Sequence, residues 1–68
     1  RGVKMTYKIW FQDGSKVPTK SGVCNEIDSE IELHEMALKY DFNVDEVLYF
    51  GETEMTENDQ VIGGVYKK

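Results

Sequence analysis

Three features of this 68-residue chain carry side chains capable of chemistry: His34, Cys24 and the carboxylates of "GETEMTENDQ". His34 is the only histidine. It falls on the helical line Ile27, Ile31, His34, Leu38, where an imidazole reads as a boundary or core group satisfied by one hydrogen bond. Cys24 has no second cysteine with which to form a disulfide or a CxxC site, and reads as a small, half-buried hydrophobe in a reducing compartment. The sequence supplies no Asn or Asp placed to orient His34 toward Cys24, so a cysteine hydrolase is not indicated. Glu52, Glu54, Glu57 and Asp59 lack the fixed ligand positions and central glycine of an EF-hand loop, and read as a solvated hairpin tip. Gly63-Gly64 precedes a strand end rather than a helix start, which excludes a phosphate loop. The expectation is a chain that is not an enzyme, with no catalytic residues, no cofactor and no metal.

Charge narrows the partners. The net charge is −5, and it is unevenly spread. Residues 1–23 hold Arg1, Lys4, Lys8, Lys16 and Lys20 against Asp13, a net of +4; residues 24–68 hold three lysines against twelve carboxylates, a net of −9. An acidic field repels phosphates and attracts basic proteins. Aromatic residues alternate with lysines only in "KMTYKIWFQDGSK", where Tyr7, Lys8 and Trp10 have the character of a stacking surface, and the acidic remainder opposes that use. No direct nucleic-acid binding is expected. Membrane association is not expected either: no apolar run approaches the ~18 residues a spanning helix needs, and the first residues lack the apolar segment of a signal peptide. The expected location is cytoplasmic.

The elements that must position these residues are legible in part. The composition, 40% hydrophobic and 31% charged, suits one small globular domain over residues 1–68. "TYKIWFQDGSKVPT" reads as a hairpin turning at Asp13-Gly14, with Ile9 across from Val17 and Pro18 keeping the second strand at an edge. Ser29 and Glu32 have capping-box spacing at the start of a helix, with Asn25 a competing earlier cap, Glu35 to Lys39 an i,i+4 pair and Asn43 a left-handed terminator. "DEVLYFGETEM" begins with a β-branched and aromatic run, and after a polar turn at "TEND" comes "QVIGGVYKK", a second hairpin. The predicted fold is α+β, in the order ββαββ: a four-stranded, largely antiparallel sheet with one helix on one face.

That architecture leaves apolar surface over. Around the helix, Asp28, Glu32, Glu35 and Lys39 form a polar wedge, and apolar residues occupy most of the remaining arc. In the first strand Tyr7, Ile9 and Phe11 share the helix side and Trp10 points away. If Leu48 and Phe50 face the helix, the open sheet face gathers Trp10, Val47, Tyr49, Ile62 and Tyr66. Leu33, Met36 and Tyr40 form a spare helix flank. Aromatic anchors of this kind are enriched in protein interfaces. The expected function is a protein-binding module: an adaptor, an inhibitor or a homodimer. The alternative uses charge: Asp28, Glu32, Glu35, Asp45, Glu46, Glu52, Glu54, Glu57 and Asp59 would imitate phosphates in the basic groove of a nucleic-acid-processing protein, as inhibitors from phages and mobile elements do. Salt separates the two, since a charge-mimic complex weakens steeply with it.

Overall fold

The structure, a computed structural model, describes residues 5–68. Arg1 and Lys4, counted above in the basic segment, lie outside the described residues. The elements are β1 (Tyr7–Phe11), β2 (Glu26–Ile27), α1 (Glu30–Tyr40), α2 (Val44–Phe50), β3 (Glu52–Glu57) and β4 (Gln60–Lys67). The α+β class and the four-stranded antiparallel sheet are as the sequence predicts, and a second helix is added. The sheet runs β2-β1-β4-β3, with every neighbouring pair antiparallel.

The first hairpin differs from expectation. The chain does turn after β1, with the Gly14 N–H donating to Phe11 O and Gly14 at φ 83°. It does not return as a strand, and Ile9 pairs with Val65 of β4 rather than with Val17. Pro18 offers no N–H to a ladder, and Asn25 binds Val17 from both its side chain and its backbone, closing a loop instead. The second strand comes later, as β2, with Tyr7 opposite Ile27.

Ser29 caps α1 as predicted, its hydroxyl accepting the Glu32 N–H at 3.1 Å. The reciprocal half of the box is replaced, because the Glu32 carboxylate accepts the Lys20 N–H at 2.7 Å. Asn25 is no cap; it stands at φ 66° in the loop. The helix ends at left-handed Asp41, and Asn43 begins α2 instead, accepting the Glu46 N–H at 3.3 Å. Gly51, at φ 87°, closes α2 inside the segment expected to be a strand. The apolar run Val44–Phe50 is therefore helical: Val44, Val47 and Leu48 follow helical spacing onto the core, and caps at both ends outweigh β propensity.

Among the described residues, the nine of the core fall between the sheet and the helices. β1 gives Tyr7 and Ile9, β2 Ile27, β3 Met55 and β4 Val65; Leu33, Met36, Phe42 and Val47 descend from the helical layer. Both helices lie on this one face. Burial, and secondarily Glu30, raise the Tyr7 hydroxyl above its usual pKa. Phe11 meets Tyr40 edge to face at 5.3 Å at the rim.

The β3–β4 turn is tighter than the sequence suggested: Asn58 and Asp59 alone form it, both with positive φ, as a two-residue hairpin requires. A bulge follows, where register passes from Thr56↔Val61 to Met55↔Gly63 and leaves Ile62 as the extra residue. At Gly63 an added methyl would overlap the Trp10 carbonyl oxygen, and at Gly64 it would stand 2.8 Å from the Trp10 indole nitrogen. Gly63→Ala is therefore expected to destabilise by roughly 1–2 kcal/mol, since overpacking costs ~1–3 kcal/mol and removing a strand glycine returns only ~0.5–1. Gly64→Ala should cost less, because the backbone atom nearest its methyl, Thr53 O, stands at 2.9 Å rather than overlapping it, and the indole can move aside. Chemical denaturation of both variants checks the order.

Candidate functional site

β1 and β4 carry their outward residues onto a sheet face that no described element covers. Alternation from the buried Tyr7, Ile9 and Val65 sends Lys8, Trp10 and Tyr66 to the opposite side. Register then orders this face into two rows across the strands: Glu26, Lys8, Tyr66, Glu52, and beside it Trp10, Gly64, Glu54. Because Gly64 has no side chain, the Trp10 indole lies down over β4 toward β3. Trp10 remains 41% and Tyr66 42% exposed.

The two aromatics form a ridge between grooves of opposite charge. On the β3 side a groove of about 470 Å³ is bordered by Glu46, Glu52, Glu54 and Thr56 as well as both rings. On the other side a groove of about 300 Å³ is bordered by Lys8, Lys16 and Cys24. Acids on the basic side are neutralised: Glu26 pairs with Lys68 at 3.0 Å, and that bond, with help from Lys8, holds its carboxyl below the usual range. Among the described residues, Glu52, Glu54 and Glu57 make no ion pair.

Of the apolar residues singled out from the sequence, only Trp10 and Tyr66 share this face. Val47 is a core residue of α2, and Tyr49 is exposed on the same helix, because the segment expected as a strand is helical. Ile62, displaced by the bulge, packs against the core rim. Leu33 and Met36 are buried and Tyr40 is half-buried, so this flank is not free for a partner: α1 is rotated relative to expectation. Leu33, Met36, Ala37 and Tyr40 have the i, i+3, i+4, i+7 spacing of a complete core stripe, and that stripe meets the sheet. The line assigned to the core, Ile31, His34 and Leu38, faces outward instead, with Leu38 88% exposed. Sequence reasoning thus missed Ile31, Leu38 and, at the end of α2, Phe50 as exposed apolar residues.

Other expectations also change. Cys24 is exposed rather than half-buried. It borders the open sheet face while His34 lies on the outer surface of α1, so the two stand on opposite sides of the layers. Glu35 pairs with Lys20 at 2.8 Å instead of with Lys39, and this raises the Lys20 ammonium above its ordinary value. Lys39 stands 5.4 Å from the Tyr40 ring centre.

The acidic residues do not form one patch. Glu32 is buried, with one carboxylate oxygen on the Lys20 N–H and the other without a hydrogen-bond partner, so it cannot imitate an exposed phosphate. Asp28 precedes α1 and Glu35 is on it; Asp45 and Glu46 begin α2, where Glu46 accepts the Thr53 hydroxyl at 2.7 Å. Only Glu52, Glu54, Glu57 and Asp59 follow one another along β3 and its turn. Among the described residues, no group of three or more His, Cys, Asp or Glu side chains has metal-holding geometry, and no helix is long and apolar enough to cross a membrane.

No family model, curated protein or solved structure matches this chain.

The Glu26–Lys68 pair has a pH signature. A carboxyl whose pKa is lowered by folding contributes stability above its unfolded pKa, and that contribution is lost as pH falls through the folded value. In Lys68→Ala the Glu26 midpoint, followed by carboxyl carbon NMR, should rise toward the ordinary range. The stability difference between the two proteins should shrink on acidification through that window.

Proposed function

We infer that this chain is a non-enzymatic, cytoplasmic protein-binding module that uses the open sheet face, with Trp10 and Tyr66 as its anchors. The observation that carries this reading is the position of Trp10: a large aromatic packed over a glycine, on the side of the sheet away from the core. A residue there contributes little to the fold's interior, while aromatic anchors at the centre of an interface carry much of its binding energy. Flanking charges of opposite sign give the face a direction, which favours one orientation of a partner over its reverse.

The phosphate-mimic reading is less favoured, because its carboxylates are dispersed over α1, α2 and β3 and Glu32 is internal. Ile31, His34 and Leu38 offer a second apolar surface on the opposite layer. Trp10→Ala distinguishes these. It should weaken partner capture from the native host more than tenfold while changing unfolding free energy by less than about 1 kcal/mol. Capture unaffected by Trp10→Ala or Tyr66→Ala, yet lost in Ile31→Ser/Leu38→Ser, would move the interface to α1. Capture of a nucleic-acid enzyme, indifferent to Trp10 and abolished by salt, would restore the mimic. Random duplex and single-stranded DNA should show no submicromolar binding by fluorescence anisotropy, given the net charge of −5.

A further inference from the structure

The nature of the partner follows from the edge of the same sheet, and this step rests on the open face being the interface. Among the described residues, β3 is a terminal strand paired with β4 alone. The Lys67 N–H donates to Gly51 O at 2.6 Å, which sets the phase of the ladder. In an antiparallel pair, alternate residues turn both backbone groups to the same neighbour. Thr53 and Met55 therefore address β4, and Glu52, Glu54 and Thr56 present N–H and C=O groups outward. The opposite edge is closed: β2 has two residues, and the Ser21 hydroxyl donates to Glu26 O at 3.0 Å, with the Thr19 hydroxyl reaching the same oxygen. Among the described residues, the sheet thus has one edge able to pair.

Charge selects what pairs there. Glutamates on an edge strand discourage addition of a like strand, and a second copy of β3 would bring carboxylates against carboxylates. Glu52, Glu54 and Glu57 have no ion-pair partner among the described residues. Residues of an added strand that stand opposite Glu52 and Glu54 share their face, the one carrying the aromatic ridge. At ~4.8 Å between strands, a long cationic side chain crosses β3 into the groove bounded by Glu52, Glu54, Trp10 and Tyr66. A guanidinium or ammonium there meets two carboxylates and lies against ring faces, which favour cations.

We propose that β3 receives, as a fifth strand, an extended segment of another protein bearing Arg or Lys at alternate positions, with its cationic side chains in the Glu52–Glu54–Trp10–Tyr66 groove. Backbone pairing supplies affinity, and alternate cations supply selectivity.

The test is an NMR titration of the isotopically labelled protein with a capped peptide of roughly eight residues alternating Arg and Thr. Two control peptides accompany it: one with citrulline for each Arg, and one N-methylated at the amides that would face β3. The Arg peptide should shift the Glu52, Glu54 and Thr56 amides and the Trp10 indole N–H, and slow exchange of those three amides. Citrulline should weaken binding by about tenfold or more, the loss expected for charge-assisted contacts, and N-methylation should abolish it. Equal binding of the Arg and citrulline peptides, indifference to N-methylation, shifts confined to Ile31, His34 and Leu38, or self-association through β3 in sedimentation would each overturn the proposal. So would the absence of any shift at about 1 mM peptide. If that happens while partner capture still depends on Trp10, strand addition is wrong and the open-face reading stands; loss of both removes the two together.

Discussion

The close approach of β1 and β4 at Gly63-Gly64 is the constraint on which the rest of the arrangement depends. Gly63 is directly opposite Phe11 and Gly64 opposite Trp10, and neither position has room for a methyl group without displacing a neighbour. On the inner side this lets the Met55 methyl group rest over Gly63; on the outer side it lets the indole rest over Gly64. One dipeptide therefore serves both surfaces of the sheet. Two short helices can cover only one of them, and the order β2-β1-β4-β3 puts this glycine pair in a central strand, next to the edge formed by β3.

How much of this was legible depends on whether local chemistry or relative orientation decided the outcome. The strict alternation of Tyr7, Ile9 and Phe11 against Lys8 and Trp10 fixed the sidedness of β1, since a one-residue slip would reverse every side chain. The Ser29 cap was readable for the same local reason. Val44–Phe50 is helical although its β-branched and aromatic residues point to a strand, because its caps decide, and Asn43 three residues before Glu46 is a helix-start spacing. β2 was not legible: two residues carry no periodicity, and their pairing depends on the Asn25–Val17 loop closure.

The rotation of α1 shows the limit of a helical wheel. Two apolar stripes were available, and a wheel alone ranks neither. The more complete one, Leu33, Met36, Ala37 and Tyr40, met the sheet, and Glu32 was carried inward with it to bind the Lys20 backbone. The burial of a carboxylate here follows from the packing of its apolar neighbours, since one turn of helix cannot bury Leu33 and Met36 while holding Glu32 fully in water. The carboxylates of β3 met no such demand. Their strand places Glu52 and Glu54 on the uncovered face, where they border a groove lined by Trp10 and Tyr66 and by no lysine.

Trp10 is also the chain's only tryptophan, and it sits outside the core. Its intrinsic emission consequently samples the uncovered surface of the sheet, not the interior built around Leu33 and Val47. The spectroscopic probe by which unfolding is commonly followed is, in this protein, a gauge of whether that surface is occupied. The state of the core must be read from another signal, such as the backbone dichroism of its helices and strands.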